Sequence, residues 1–436
     1  MMKMKAAASV VLAVSLTAGC GKGTSGVSTG GNESKTGVIN TEAQQITVVH
    51  YALAEEDFNK TYGDPLRKKF PNVVLKYVVP AKGQKIQDLV SAGESMDIVF
   101  DSIGQVHANI YSLELQTDIT PLIQSKKYDL SKLEPTAVEA MKGIAKGGMY
   151  GLPVNLSPAG LFYNKDLFDK FGVGYPKDNM SWDEVYDLAK KMTRSEGGVQ
   201  YLGYTTSSGH QALTNQFGLS FIDPISEKAV MNSDGWIKVM QSIVRFYQIP
   251  GYNLTSKDLA VASMRDMYAV EKRVAMYTNF SGVTDPEGMN WDVVTIPTYP
   301  DAPGIGVQPY PTYWHVTSNS KNKELAFDMI AWLTSEEFQV PFTRKGNATI
   351  LNDPAIKQQF GQDTPTLKGK NVSALFPAKR PSPSYFSPYH SLAYSKFPAA
   401  FTQIASGQKD VVTALREADE QANKAIEVEK AARSGK

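Results

Sequence analysis

Apolar residues recur along the chain in two rhythms, and the alternation between them is the first clue to its architecture. Ile46-Thr47-Val48-Val49-His50-Tyr51 is a β-rich run of the kind that forms a buried strand. Asp64 to Phe70 is helical in character, and Val73 to Val79 reads as a second strand ended by Pro80. Lys82 to Ala92 sets Ile86, Leu89 and Val90 on one helical face and stops at Gly93, and Asp97 to Phe100 forms a third short strand. Strands and helices alternating at this pace predict α/β units around a mostly parallel sheet. Such sheets hold ligands at the carboxyl ends of their strands, which here means Tyr51 onward and Asp101-Ser102.

The middle of the chain is richer in helix. Ser181-Trp182-Asp183-Glu184 is a capping box that opens a helix running to about Met192, with Val185, Leu188 and Ala189 turned inward. Asp234 to Tyr247 collects Ile237, Met240, Ile243 and Val244 on one face. Lys272 to Tyr277 and Trp291 to Ile296 read as strands, Asn322 to Leu333 and Val411 to Val428 as strong helices. From about Ala302 to Trp314, and again from Phe376 to Tyr389, proline and aromatic residues break the pattern.

Composition narrows the classes. The chain has 436 residues, 42% of them hydrophobic, enough for a large core and for two or three domains at about 150 residues each. With 45 Lys+Arg against 44 Asp+Glu, the formal charge of +1 excludes a globally basic nucleic-acid binder. A single cysteine excludes a disulfide framework, and five scattered histidines without an HExxH pair give no zinc signature, so neither a metal nor a cofactor is expected.

The position of that cysteine matters more than its chemistry. Lys3 and Lys5 precede an apolar stretch from Ala6 to Ala18, too short for a bilayer span of roughly 20 residues and readable as a secretory signal over 1–19. Leu16-Thr17-Ala18-Gly19-Cys20 resembles a bacterial lipobox, with Thr17 where leucine is more usual. That resemblance implies cleavage after Gly19, lipidation of Cys20 and an extracytoplasmic protein anchored to the outer face of the cell membrane. Residues 20–45 then read as a Gly/Ser/Thr/Asn tether that reaches about 25–30 Å from the anchor.

Several separate stretches share one family character. Met96-Asp97-Ile98-Val99-Phe100-Asp101 with Leu115 to Pro121, then Met149-Tyr150-Gly151-Leu152-Pro153-Val154 to Leu161-Phe162-Tyr163-Asn164-Lys165-Asp166-Leu167-Phe168, are followed by the capping box at Ser181. Lys272-Arg273-Val274-Ala275-Met276-Tyr277, Trp291-Asp292-Val293 leading to Asn322-Lys323-Glu324-Leu325-Ala326-Phe327, and Ala405-Ser406-Gly407 with Ala414-Leu415 complete the set. In this order they resemble the extracellular solute-binding proteins of bacterial ABC importers, in the family that includes the maltose-binding and other sugar-binding proteins. The resemblance covers about residues 46 to 425. It implies an α/β, two-lobed periplasmic-binding-protein-like fold (type II) with a hinge between the lobes. By that analogy the first lobe takes 46–156 plus 297–340, and the second takes 157–296 plus 341–436.

A neutral sugar needs aromatic faces for its C–H surface and planar polar groups for its hydroxyls, and 21 Tyr, 18 Phe and 5 Trp offer faces in plenty. Position therefore selects the candidates. Asp101 and Ser102 end a strand at the expected cleft, Asp101 standing where the family has an aromatic, which favours hydrogen bonding over stacking there. Asn155 and Ser157 lie in the hinge crossing, and Ser157 matches a position where relatives carry a ligand-binding carboxylate. Asn279 and Phe280 follow the Ala275-Met276 strand, Phe280 substituting for a family tryptophan, and Tyr394 aligns with a stacking aromatic. Trp314, within Tyr313-Trp314-His315, is a further candidate, and Tyr51 and His210 complete the set.

The implied activity is capture of a solute, best a neutral oligosaccharide, and its delivery to the membrane subunits of an ABC permease. A peptide, a polyol or another small solute fits the same fold, as does a role as sensor partner. An extracellular glycosidase would need two carboxylates placed across the scissile bond. The adjacent acids Glu55-Glu56-Asp57 instead read as a solvated turn, and no GxSxG elbow supports an esterase.

Overall fold

The computed structural model describes residues 44–280, 282–377 and 379–434. The signal segment 1–19, Cys20 and the tether as far as residue 43 lie outside the described residues. Gln44 and Gln45, expected in the tether, instead begin the first strand, β1 (Gln44–Val49), where Gln44 already sits opposite Val73.

The remaining strands are β2 (Val73–Val78), β3 (Ile98–Ser102), β4 (Leu152–Leu156), β5 (Gly160–Asn164), β6 (Arg194–Glu196), β7 (Val199–Thr206), β8 (Val274–Asn279), β9 (Trp291–Val294), β10 (Pro311–Val316) and β11 (Ala348–Thr349). They form two sheets, ordered β11-β4-β10-β3-β1-β2 and β6-β7-β8-β5-β9. The apolar run of β3 is buried from Ile98 through Asp101, as a central strand covered on both faces must be. β2 buries only Leu75 and leaves Val74 exposed, as fits an edge.

Both sheets are mixed, where a mostly parallel sheet was expected. β1 runs parallel to β2 and β3, but β10, arriving late from the second lobe, lies antiparallel between β3 and β4. In the second sheet β7 and β8 are parallel, and β5 is antiparallel to both of its neighbours. The expected limits of the lobes shift for related reasons. Past position 297 the chain still bonds to the second lobe, through Trp182 N to Thr298 O (3.0 Å) and Gln308 N to Thr214 O (3.1 Å). Past 340 it stays with the first lobe: the helix Glu336–Arg344 buries Phe338 and Phe342, Gln339 Nε2 donates to Val154 O (2.8 Å), and β11 pairs with β4. Contact with the second sheet resumes at Lys370, which donates to the Trp291 carbonyl, and at Asn371, whose amide donates to Asp292 (2.9 Å).

The capping box closes as read: Ser181 N donates to Glu184 Oε2 (2.7 Å) and Glu184 N to Ser181 Oγ (3.2 Å). Its helix, Trp182–Met192, buries Trp182, Val185, Ala189 and Met192. It lies so close to β7 that a Cβ on Gly203 would come within 2.1 Å of the Ala189 carbonyl, so only glycine fits there. The helix Val411–Ser434 packs its Ala414, Leu415, Ala418 and Ala422 side against the helices Asp234–Val244, His390–Tyr394 and Phe397–Ala405. Asp419 fixes the loop beneath by accepting from the amides of Met231 (2.7 Å) and Asn232 (2.9 Å). Glu55–Asp57, expected in a turn, form the first turn of the helix Glu55–Phe58, where acids favour the N-terminal end of the helix dipole. No helix among the described residues is long and apolar enough to cross a membrane.

The lobes meet along a seam that contains two buried histidines. His107, on the short helix Val106–Asn109, lies with its ring 6.5 Å from that of His390 on the helix His390–Tyr394. His107 faces the Phe386 carbonyl, while its Nε2 and both nitrogens of His390 lack a hydrogen-bond partner among the described residues. Burial lowers the pKa of His107 to about 4, with Arg433 adding repulsion, and lowers that of His390 to about 3, with His107 adding to it. Both folded values lie below the unfolded value near 6.5, so between these limits the unfolded chain binds more protons. The pair's contribution to stability is therefore complete above pH 6.5 and is lost as pH falls toward 4. Measured against His390→Phe, the melting temperature of the wild type should drop between pH 7 and pH 5; a difference that does not change with pH would contradict the assignment.

Candidate functional site

Strand polarity builds the first wall of the cleft. Because β1 and β3 are parallel, their carboxyl ends bring His50-Tyr51 and Asp101-Ser102 to one edge of the sheet. A cavity of about 310 Å³ opens there, lined by His50, Tyr51, Tyr62, Phe100, Asp101 and Thr312 among others. Asp101 is 1% exposed, its Oδ1 accepting from the Ser102 amide (2.7 Å) and its Oδ2 from Asn109 Nδ2 (2.7 Å). Burial pushes its carboxyl up to about 7, against the downward pull of those hydrogen bonds. Tyr51 stands at the mouth, 43% exposed, its hydroxyl pKa raised by partial burial and then by the Asp101 charge.

The second lobe does not line that cavity; its turn after β7 and its helix His390–Tyr394 approach the first lobe beside it, across Tyr310. Tyr310, in the chain returning to the first lobe, is the meeting point. Its hydroxyl shares a hydrogen bond with Ser102 Oγ (3.2 Å), and its ring stands edge-on to His210 at 5.6 Å. His210 Nδ1 is fixed by Ser207 Oγ (2.6 Å), and burial lowers the histidine's pKa. The Tyr394 hydroxyl presses on the backbone beside it, since a Cβ on Gly209 would lie 2.9 Å from that oxygen. Gly104 permits the same closeness between lobes: a Cβ there would meet Tyr310 Oη at 2.7 Å and the Leu213 side chain at 3.0 Å. Burial raises the Tyr394 hydroxyl to about 12, leaving it a neutral donor.

The candidates read from the sequence thus separate into groups. Tyr51, Asp101 and Ser102 from the first lobe and His210 and Tyr394 from the second gather around Tyr310. Asn155 lies one residue behind the wall, accepting from the hydroxyl of Tyr62 (3.3 Å). Ser157 contributes backbone, its amide donating to the Tyr310 carbonyl (2.9 Å). Asn279 Nδ2 donates to Gly282 O (2.9 Å) and Thr284 Oγ1 (3.0 Å), and Phe280 is buried.

Trp314 is wholly buried, stacked on Phe100 with ring centroids 4.2 Å apart. Register explains its placement. Thr312 pairs with Ser102 at the cleft, and two residues on, the same strand face brings Trp314 against Phe100 beneath it. Its neighbours are equally internal: Tyr313 Oη donates to Ala137 O (2.7 Å), and His315 Nδ1 lies 2.8 Å from Tyr150 O.

Sequence reasoning missed Tyr310, Tyr62 and Thr312. Tyr310 falls in the proline-broken stretch, where no periodicity points to a face. Thr312 is visible only once β10 is paired with β3. Among the described residues no group of three or more His, Cys, Asp or Glu side chains could hold a metal ion.

Comparison with known proteins places this geometry. A family model described as bacterial extracellular solute-binding protein matches residues 50–340. The arabinooligosaccharide-binding protein of Bacillus subtilis is 26% identical over 197 residues, 44% of this chain and 42% of that one. The ABC substrate-binding protein of Listeria monocytogenes, solved in complex with cycloalternan, superposes with a TM-score of 0.71 at 19% identity, covering 88% of this chain and 99% of the other. The sugar-binding protein MalE of Xanthomonas citri gives 0.67 at 17% identity over 89% and 100%. These two likenesses are of fold.

Asp101 offers a test of the site's electrostatics. Its folded pKa, raised from 3.8 to about 7, means that the folded state holds the proton longer than the unfolded chain. This group's contribution therefore declines as pH rises from about 4 to 7, by an amount on the order of a few kcal/mol. Asp101→Asn cannot ionise, so its melting temperature relative to wild type should rise between pH 5 and pH 8. A difference independent of pH would show that Asp101 is ionised throughout.

Proposed function

The chain belongs to the bacterial extracellular solute-binding protein family, and from that premise we propose that it captures a neutral oligosaccharide between its lobes and hands it to a membrane permease. The observation that supports this reading is the gathering of Asp101 and Ser102 from one lobe with His210 and Tyr394 from the other around Tyr310. The set combines aromatic faces with neutral donors and acceptors, the chemistry that a polyhydroxylated, uncharged ligand requires. The arabinooligosaccharide named for the Bacillus protein and the cycloalternan bound in the Listeria one support the same reading. Cys20 is the proposed lipid anchor, residues 1–19 the signal that directs export, and an ABC permease the receiving partner.

Capture works through closure. A solute that touches both walls binds the closed arrangement better than the open one and shifts the population by that difference alone. At a micromolar dissociation constant the binding free energy is about 8 kcal/mol, enough to offset a closure cost of a few kcal/mol. The cleft needs no bond-breaking groups for this, in keeping with a family of binding proteins.

A thermal-shift and calorimetric screen of malto-, arabino- and manno-oligosaccharides, polyols and short peptides tests the proposal. One saccharide series should raise the melting temperature, since ligand at 100 times its dissociation constant adds about 2.7 kcal/mol to the native state. Tyr394→Ala should weaken that binding at least tenfold. Shifts produced by peptides alone would keep the family and overturn the sugar.

A further inference from the structure

Beside the cleft lies a second, larger concavity that the capture step does not use. It has a volume of about 1320 Å³ and runs between the helical segment 55–69 and the helix Glu336–Arg344, against the end of the helix Lys323–Leu333. The cleft cavity, at about 310 Å³, stands at the lower end of the roughly 300–1,000 Å³ range of small-molecule sites. Thr61 and Asn347 line both spaces, so the two adjoin across these residues.

Local structure at the junction explains how it is held open. Segment 55–69 is a single helical rod interrupted by a π-helical turn, Asn59–Gly63. Pro65 has no N–H to give the Thr61 carbonyl, and the chain here takes the wider turn, with the Asp64 amide donating to the Asn59 carbonyl. The turn sets Tyr62, 7% exposed, inward and leaves Thr61 on the rim shared by cleft and groove.

The chemistry of the groove selects a ligand type. Phe338 and Phe342 are buried beneath it, and Trp332 is half-buried at its side. The indole is already fixed: Nε1 donates to Glu337 Oε2 (3.0 Å), Phe338 packs 5.3 Å from it, and Phe70 meets it edge-on at 6.1 Å. An immobilised aromatic side chain costs little further entropy when a ligand stacks on it. The rim carries lysines and carboxylates of both signs, with Lys69 paired to Glu337 at 2.5 Å, so no single sign of charge dominates. Mixed polar groups over an aromatic floor suit hydroxyls and C–H faces better than a phosphate or a polycation.

We propose that the ligand is an extended oligosaccharide, one end clamped in the cleft and the rest running over Thr61 and Asn347 into this groove to pack on Trp332. This inference rests on the saccharide reading above and adds the length of the ligand to it. The groove gives affinity to units beyond those the cleft encloses, and it holds them on the first lobe alone.

Calorimetry of the full chain with malto-, arabino- and manno-oligosaccharides of two to six units tests it. In the series that binds, the dissociation constant should fall at least tenfold from the disaccharide to the pentasaccharide. Trp332→Ala should remove that gain while leaving disaccharide affinity within twofold, and Tyr394→Ala should weaken every length alike. Saturation-transfer NMR on the unaltered protein checks the same point without a variant: units beyond the second should receive saturation. Affinity that does not change with length, or distal units that receive none, would overturn the groove while leaving sugar capture intact. Failure of every saccharide to bind would overturn both.

Discussion

Ser157, Pro158 and Ala159 are all that separate β4 from β5, and those two strands belong to different sheets. With only three residues between strands of different sheets, the adjoining ends of the two sheets are held close together at the crossing. The return crossing is bound to it by the hydrogen bond from the Ser157 amide to the Tyr310 carbonyl, and Gly282 braces the first by donating to the Pro158 carbonyl (3.2 Å). Tyr310 therefore belongs to the hinge through its backbone and to the cleft through its hydroxyl and ring. A motion of one lobe about these crossings is a hinge motion in which a few residues absorb the change, and it moves the walls of the site together.

The cleft inherits its rigidity from what lies beneath it. Phe100 and Trp314 stack under the cavity, and Tyr62 packs edge-on against Trp314 at 5.1 Å while bonding Asn155. Ser102 and Thr312 are thus displayed from a packed aromatic platform rather than from a free loop, which is how binding groups are held in place before a ligand arrives. Asp101 is buried, its charge answered by Asn109 and by the amide and hydroxyl of Ser102. A carboxyl so placed stays near its protonation midpoint and can either donate to or accept from a hydroxyl.

Much of this was legible in the sequence where local physics decides. The capping box at Ser181 and the strands β1, β2 and β3 follow from local hydrogen bonding and apolar runs alone. The strand ends at Tyr51 and Asp101-Ser102 were readable because parallel strands that start a sheet share a direction. What alternation cannot tell is which distant strand will be a neighbour. β10 enters between β3 and β4 from far along the chain, and that insertion makes the sheet mixed, carries Trp314 into the core and Thr312 to the cleft, and brings Tyr310 to the centre. The return of β11 to the first sheet was hidden for the same reason. The π-helical turn was hidden for another: Pro65 marks a lost hydrogen bond, but whether a helix ends there or widens depends on what packs against it, here Tyr62 on Trp314, Phe338 and Phe342.

The central claim is that one ligand is held by both walls at once. Hydrogen–deuterium exchange with and without the saccharide that binds measures this directly. The account requires peptides around Asp101–Asn109 and those around Ser207–Leu213 and His390–Tyr394 to gain protection together at the same saccharide concentration. Protection confined to one lobe, with the other exchanging as in the free protein, would contradict a shared interlobe site.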